Sequence, residues 1–124
     1  MKEIRRWEMD AIGRGRLKMA TREKPRPAAG EVLVRVAAVS LNYRDKMVIE
    51  SGRGLSLTYP FTPGSDMAGT IVELGEQVDG FDEGDRVISV FTPDWIDGRR
   101  PGNARPQAYR TLGGFYPGVL SEYV

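Results

Sequence analysis

The stretch that decides the fold is residues 62–75, TPGSDMAGTIVELG, which is followed at residues 84–87 by GDRV. A proline and a glycine near its start punctuate the chain, and residues 67–74 then form a β-rich run. A second β-rich run covers residues 86–91, and the acidic, glycine-containing segment between the two runs indicates a turn. Tightly connected strands of this kind predict an antiparallel, mainly β domain.

Further strands are predicted on both sides of this stretch. Residues 4–9 and 16–21 flank closely spaced glycines, which indicates a hairpin, and residues 31–40 are apolar on both alternating faces, which indicates a buried strand. Residues 119–124 begin another strand. By contrast, residues 92–118 are rich in proline and glycine and show little periodicity, so we expect an irregular excursion there.

One short helix is predicted between the buried strand and the glycine motif. Asn42 is placed as its N-cap, and Asp45, three residues later, can reach back as a capping-box partner. Ser51 and Gly52 then end the apolar run, so the helix spans little more than two turns.

The glycine motif and the helix entry together resemble the medium-chain dehydrogenase/reductase superfamily of alcohol dehydrogenases and quinone reductases. Zinc-dependent members carry Gly-His-Glu, with the His as a zinc ligand, where this chain has Gly64-Ser65-Asp66. Residues 39–45, VSLNYRD, resemble the family's entry into its first helix, where zinc enzymes carry a Cys ligand at the position of Asn42. The resemblance runs from about residue 25 to residue 124. It implies a GroES-like β-barrel with one or two short helices.

The composition removes the usual zinc ligands apart from carboxylates, because the chain has 0 Cys and 0 His. The four-cysteine lobe that zinc members often insert is also missing. The resemblance therefore points to the zinc-independent branch, and we expect no metal site. The lack of cysteine excludes a disulfide framework and fits a reducing cytoplasm, so a cytoplasmic location is expected.

The composition also limits the kinds of binding partner that are expected. No apolar run approaches the length of a membrane span, so no membrane partner is expected. Residues 1–26 hold nine Lys and Arg against four Asp and Glu, although the net charge is only +1. The positive residues alternate with acidic and apolar ones and no nucleic-acid-binding motif accompanies them, so a solvated hairpin face is favoured over nucleic-acid binding.

Residues 1–124 are predicted to form one GroES-like catalytic domain, expected to be incomplete. Family members pair this domain with a Rossmann cofactor domain, and that domain is absent from this chain. A dinucleotide fold needs a G-x-G-x-x-G turn between a strand and a helix, whereas Gly13-Arg14-Gly15 and Gly52-Arg53-Gly54 each lack the third glycine and are interpreted as turns. We expect the full-length enzyme to use NAD(P)H and to be a homo-oligomer.

The resemblance places the candidate site at the two motifs. Asn42 is carried over as a catalytic and cofactor-binding residue whose amide donates to a carbonyl oxygen or to the cofactor; a plain helix cap is the alternative. Ser65 is the second catalytic candidate, with a hydroxyl that donates into the cleft. Asp66 is expected to fix the loop or to pair with a basic residue.

Two further residues complete the predicted cofactor contacts. Tyr43 is carried over as a donor to a ribose or phosphate, with packing as the alternative. Arg44 is carried over as a phosphate or carbonyl contact, with a solvated cation as the alternative. Asp45 is assigned to capping or ion pairing rather than to catalysis.

The predicted function is that of the N-terminal catalytic-domain part of a zinc-independent NAD(P)-dependent oxidoreductase. It would reduce a quinone or an α,β-unsaturated carbonyl, and the partner is a small-molecule carbonyl or quinone substrate. The alternatives are an NAD(P)-dependent alcohol or carbonyl oxidoreductase and a non-catalytic GroES-like binding module, because a fold does not fix a function.

Overall fold

The computed structural model describes residues 2–99 and 110–124. In chain order it contains β1 (Glu3–Met9), β2 (Leu17–Glu23), β3 (Val32–Ser40), α1 (Tyr43–Ser51), β4 (Asp66–Leu74) and β5 (Arg86–Ile88), with two 3-10 turns at Arg14–Arg16 and Gly52–Gly54. Strands predominate over helix, so the predicted mainly β class is confirmed. The predicted helix is also confirmed, with Asn42 directly before its first turn.

The strands form two antiparallel sheets. Strands β1 and β2 make a hairpin, as predicted, and the second sheet has the order β3-β4-β5. The register of β3 on β4 sets Ser40 opposite Asp66. This pairing matters for the site, because it brings the end of β3, and with it the entry into α1, beside the start of β4.

Residues 119–124 join the two sheets without forming a regular strand. On one side, Trp7 N donates to Leu120 O at 2.9 Å, and on the other, Val36 N donates to Glu122 O at 2.9 Å. Only isolated bridges result, at Arg6 with Ser121 and at Arg35 with Tyr123. The sheets are thus linked by this segment rather than closed by continuous strands within the described residues.

Strand β5 is shorter than the predicted run of residues 86–91. It ends at Ile88 because Met67 N donates at 3.0 Å to the hydroxyl oxygen of Ser89, so a side chain takes the place of a backbone carbonyl in the ladder. Beyond it, the described parts of the predicted excursion contain no regular element and are held by contacts such as the Tyr116 hydroxyl donating to Asp94 Oδ2 at 2.8 Å.

Helix α1 packs on the rest of the domain through a small core. Val48, on its inner face, contacts Met9 at the end of β1 and Phe61 in the following loop, and all three are buried. Met9 and Phe61 also exchange two backbone hydrogen bonds of 2.8 and 2.9 Å. Helix α1 is therefore held through Val48 against both the hairpin and the loop that leads into β4.

A nearly buried carboxylate ties the hairpin together. Glu8 is 7% exposed and accepts hydrogen bonds from Arg6 Nε at 2.7 Å and from the Arg22 guanidinium. The bond from Arg22 is the main cause that holds the pKa of Glu8 below its ordinary value of 4.5, and Arg6 adds to it. Because the folded pKa is lowered, the pair stabilises the fold above about pH 4.5 and this contribution is lost as the pH falls through the folded value.

We expect Glu8→Gln to lower the free energy of unfolding by about 2 kcal/mol at neutral pH, the usual size for a hydrogen bond to a charged group. The difference from wild type should shrink as the pH falls from about 4.5 through the lowered folded pKa of Glu8, because the unfolded wild-type chain takes up the proton first and the folded one only at lower pH. Urea unfolding at several pH values measures this. Glu122→Gln is the control: Glu122 pairs with Arg5 at an exposed site, where solvent weakens the interaction, so we expect a smaller loss there. Equal losses in the two variants would contradict the assignment.

Candidate functional site

The candidate site lies where the entry to α1 meets the start of β4. Asn42 precedes the helix, and Ser65 and Asp66 lead into the strand. The Asn42 side-chain nitrogen Nδ2 donates to Asp66 Oδ2 at 2.6 Å and to Ser65 Oγ at 3.3 Å. The structure thus brings the two predicted catalytic residues into direct contact, with Asp66 as their common neighbour.

The backbone of Asn42 is held as well. Its N–H donates to Asp45 Oδ2 at 2.8 Å, which is the reach-back bond that the predicted capping box requires. Asn42 is therefore a helix-cap position whose side chain is directed at Ser65 and Asp66. The capping role of Asn42 is thus present in the structure, and its role toward substrate or cofactor stays a prediction.

Ser65 is more deeply placed than expected. It is 1% exposed, so its hydroxyl is covered by the surrounding chain rather than presented to a cleft. Of the two roles expected for Asp66, the structure agrees with fixing the loop, because its hydrogen-bond partner is the amide of Asn42 rather than a basic residue. The contact of Ser65 and Asp66 with Asn42 is internal and fixes all three side chains.

Ser89 supports this arrangement and was missed at the sequence level. Its hydroxyl donates to Ser65 O at 3.1 Å while accepting from Met67 N at 3.0 Å. The available signal was a hydroxyl residue between Ile88 and Val90 in an otherwise apolar run. By bonding to the backbone on both sides of Asp66, Ser89 fixes where that carboxylate can lie.

Asp45 is a buried acid behind the site. It is 3% exposed, and burial is the largest cause that raises its pKa above its ordinary value of 3.8; the nearby Asp66 adds to the rise, while the hydrogen bond from Asn42 and the charge of Arg44 oppose it. Its Oδ1 has no hydrogen-bond partner within the described residues. The capping role predicted for Asp45 therefore comes with a buried carboxyl that holds its proton more readily than usual.

The two predicted cofactor contacts beside Asn42 lie in different surroundings. Tyr43 is 73% exposed, with Lys46 Nζ 5.7 Å from its ring centre, so its hydroxyl faces solvent. Arg44 instead turns toward the chain after residue 110: its Nη2 donates to Thr111 Oγ1 at 2.8 Å, and its guanidinium lies 4.9 Å from the Phe91 ring centre. Burial is the main cause that lowers the Arg44 pKa, and the charge of Arg53 contributes.

Two shallow pockets adjoin the Asn42 to Asp66 hydrogen bond. Asn42 lines one of about 260 Å³, together with Leu41 and Ile49 among others. Asp66 lines the other, of about 390 Å³, whose walls are mainly apolar side chains of β3, β4 and β5. A ligand can therefore approach the hydrogen-bonded pair from a surface that combines few polar groups with apolar walls, as binding sites commonly do.

The residues at the site do not fit zinc. They offer an amide, a hydroxyl and one carboxylate, and the carboxylate is already bonded to the amide nitrogen. Across residues 2–99 and 110–124, no cluster of three or more His, Cys, Asp or Glu side chains is placed to hold a metal ion. Structural and catalytic zinc sites instead use several thiolate, imidazole or carboxylate ligands.

We expect the purified chain to contain far less than one zinc ion per molecule, because the amide, hydroxyl and single carboxylate at the site are poor zinc ligands. Elemental analysis after dialysis against zinc-containing buffer, and then against metal-free buffer, measures it. Asn42→Cys combined with Ser65→His is the matched control that restores the family's ligand types. Stoichiometric zinc retained by the wild type would contradict the expectation.

Comparison with known proteins assigns the chain to a family. The model of the alcohol dehydrogenase GroES-like domain matches residues 28–124. A zinc-type alcohol dehydrogenase-like protein of Schizosaccharomyces pombe is 43% identical over 94 residues, which cover 76% of this chain and 26% of that protein. An acryloyl-coenzyme A reductase of Metallosphaera sedula is 42% identical over 73 residues, which cover 58% of this chain and 22% of that protein.

A solved structure agrees over the whole chain. The crystal structure of a putative alcohol dehydrogenase from Sinorhizobium meliloti 1021 superposes with a TM-score of 0.91 at 50% identity, covering 100% of this chain and 36% of that one. This chain thus spans about a fifth to a third of the length of these proteins. None of the helices in the described ranges has the length and apolar character needed to cross a bilayer. The family match and these relatives agree: the chain belongs to the alcohol dehydrogenase GroES-like domain family of the medium-chain oxidoreductases.

Proposed function

We propose that this chain is the substrate-side catalytic domain of a zinc-independent, NAD(P)H-dependent reductase that acts on a quinone or an α,β-unsaturated carbonyl compound. The observation that carries the proposal is the hydrogen-bonded group of Asn42, Ser65 and Asp66. It occupies the positions at which the zinc-dependent members of the family hold their metal. Since this group does not fit zinc, charge on a substrate oxygen has to be stabilised by fixed hydrogen-bond donors.

The whole protein is proposed to add a Rossmann cofactor domain to residues 1–124 and to form a homo-oligomer in the cytoplasm. When bound, the reduced nicotinamide cofactor supplies the hydride. Asn42 and Tyr43 lie next to each other at the surface of the site and would contact cofactor or substrate. Arg44 is assigned a different task, because its guanidinium is already bonded to Thr111 and holds the segment behind the site.

The choice of substrate class has support from one relative. The name acryloyl-coenzyme A reductase describes reduction of a carbon-carbon double bond conjugated to a thioester carbonyl, and that protein is 42% identical to this chain over 73 residues. In such a substrate, negative charge develops on the carbonyl oxygen as hydride reaches the double bond. The Tyr43 hydroxyl, exposed beside Asn42, is the donor that we assign to this oxygen.

A second candidate is an alcohol or carbonyl oxidoreductase, favoured by the 43% identity to the zinc-type alcohol dehydrogenase-like protein. Steady-state assays separate the two. The whole protein that carries this domain is supplied with NADH or NADPH and with a quinone, an unsaturated acyl thioester or an aldehyde, before and after chelation. We expect oxidation of the cofactor with one of the first two acceptors, at a rate that chelation leaves unchanged.

Turnover of aldehyde alone, abolished by the chelator, would overturn the proposal in favour of the second candidate. Failure of all three acceptors to oxidise either cofactor would favour the non-catalytic binding module instead. A Tyr43→Phe variant tests the assigned donor in the same assay, and Tyr59→Phe, at another exposed tyrosine, is its control.

A further inference from the structure

Arg44 carries a positive charge that no acid of this chain pairs with. Each of the five arginines in residues 3–23 forms an ion pair, but in the described part of the chain no carboxylate lies within ion-pair distance of the Arg44 guanidinium. Residues 100–109 contain no Asp or Glu that could supply one. The charge of the adjacent Asp45 acts on Arg44 only from a greater distance. The chain itself therefore leaves this cation uncompensated.

The Arg44 guanidinium is also partly removed from water. It lies 4.9 Å from the Phe91 ring centre, and a Cβ built on Gly114 would meet its Nη2 at 2.9 Å, with Leu55 Cδ1 next to it at 3.5 Å. A charge that leaves water is costly unless a group of opposite charge takes the place of the water. The half-buried position of Arg44 therefore favours an anion as its neighbour.

Further positive charge surrounds this position. The charge of Arg53 acts on Arg44, and Arg53 itself has a φ of 52°, a strained backbone conformation of the kind that clusters at functional sites. The segment that Arg44 contacts through Thr111 belongs to residues 98–121, which contain four arginines and no Asp or Glu. Like charges that are held close together repel, and a bound anion relieves that repulsion.

Arg44 keeps hydrogen-bond donors for such an anion. A guanidinium has five N–H donors in a planar fork, which matches the oxygens of a carboxylate or phosphate. Within the described residues, Nη2 donates to Thr111 Oγ1 at 2.8 Å and Nη1 makes a long contact of 3.5 Å with Gly113 O. Both acceptors are neutral. These contacts therefore hold the guanidinium in place without neutralising it, and they use two of its five donors.

The surroundings of Arg44 are not those of the predicted cofactor contacts. Tyr43 is exposed to solvent beside Lys46, whereas Arg44 lies against Phe91 and the segment after residue 110. Arg44 also follows Asn42 by only two residues, so its guanidinium is within about one side-chain length of the candidate site. An anion on Arg44 would therefore belong to the molecule that lies between the site and this segment, which is the substrate rather than the cofactor.

We propose that Arg44, with Arg53 beside it, binds an anionic group of the substrate, so that the preferred substrate is an α,β-unsaturated carbonyl compound carrying a carboxylate or a phosphate and not a neutral quinone. This inference deepens the proposed function and rests on it for the reaction. The anionic oxygens come from one of two sources. One is a carboxylate on the unsaturated compound itself, and the other is the phosphates of the coenzyme A carrier of an acyl thioester.

Two matched pairs of acceptors test the proposal in the whole enzyme. The first pair is β-acetylacrylate and methyl propenyl ketone, in which a methyl group replaces the carboxylate. The second pair is crotonyl-coenzyme A and the crotonyl thioester of N-acetylcysteamine, which lacks the phosphates. We expect wild type to prefer the anionic member of one pair by about 10-fold or more in kcat/KM, the effect of a hydrogen bond to a charged group. The pair that shows this preference identifies the source of the anion.

Variants separate anion binding from a purely structural role of Arg44. Arg44→Gln should lower the preference by about 10-fold, and Arg44→Lys should keep more of it because the charge remains. Arg53→Asn, with a residue that tolerates positive φ, should lower it by a smaller factor. Arg26→Gln removes an exposed arginine elsewhere and should leave it unchanged. Equal losses for both members of each pair would overturn the proposal, and so would a loss confined to the KM of NADPH, which would place the anion on the cofactor.

Anion binding is also measured on this chain alone, where no turnover is needed. Inorganic phosphate is added to the ¹⁵N-labelled chain at constant ionic strength, and the Arg44 Nε–Hε resonance and the backbone amides of Thr111 and Gly113 are followed. We expect saturable shifts that the Arg26 side chain does not show and that Arg44→Gln abolishes. Shifts no larger at Arg44 than at Arg26 would overturn the proposal. An enzyme that reduces none of the four acceptors would contradict the proposed function, and the titration would still decide whether Arg44 binds an anion.

Discussion

Gly118→Ala is expected to lower the free energy of unfolding by about 3 kcal/mol, at the upper end of what overpacking usually costs. A Cβ built on Gly118 would collide with backbone atoms of Thr62 and Pro63, among them both carbonyl oxygens. Backbone atoms cannot move aside as the end of a long side chain can. In addition, Gly118 N donates to Thr62 O at 2.6 Å, so the two segments cannot separate without losing a bond.

Urea unfolding of the 124-residue chain measures this effect. Gly15→Ala is the matched control, because a Cβ at Gly15 has no atom within 4 Å and its φ is not positive. We expect that control to lie within about 1 kcal/mol of the wild type or slightly above it, since alanine restricts the unfolded chain. Equal unfolding midpoints for the two variants would show that the segment after residue 110 does not press on residues 62–65 as described.

Asn42→Ala should lower kcat/KM of the whole enzyme by about 100-fold, which is the size of loss that follows when a reacting group is misplaced by about 1 Å. The substitution removes the side-chain amide and leaves the Asp66 carboxylate and the Ser65 hydroxyl without their common donor. Stability should fall much less, by about 1 kcal/mol, as is typical for a lost helix cap.

Asp45→Asn separates catalysis from capping. It alters the bond to the Asn42 N–H at the same helix end but leaves the Asn42 side chain in place. We expect its kcat/KM to stay close to that of the wild type while its melting temperature shifts. If Asn42→Ala proves to have the same profile, with an altered melting temperature and intact turnover, then Asn42 serves only the helix.

Much of the fold could be predicted from residues that are close together in the sequence. The N-cap at Asn42, the reach-back of Asp45 and the hairpin before them depend on residues a few positions apart, and each is found as predicted. The end of β5 could not be predicted in this way. It depends on the Ser89 hydroxyl meeting the backbone of Met67, 22 residues earlier in the chain.

In the candidate site, too, the local features could be predicted from the sequence and the long-range contacts could not. The sequence resemblance selected Asn42 and Ser65, and the structure brings them together, yet the burial of Ser65 and the direction of the Asn42 amide depend on Asp66 and on packing across strands. The hydrogen bond from Arg44 to Thr111 could not be predicted, because Thr111 lies 67 residues away and no sequence motif marks it. Arg44 was therefore assigned to a ligand from the sequence. Neighbouring residues of one motif can thus contact different parts of the structure, and the sequence of the motif does not show which part each residue contacts.

The bonds that residues 119–124 make to β1 and β3 have a consequence for how the domain forms. Arg5 and Glu122 are joined across 117 positions of sequence, so forming this contact closes a very large loop at a cost in chain entropy. Such high contact order slows folding. During synthesis the hairpin at the beginning of the chain must wait, with one edge unpaired, until residues 119–124 have left the ribosome. In that interval the unpaired edge of the hairpin is open to mispairing with other strands.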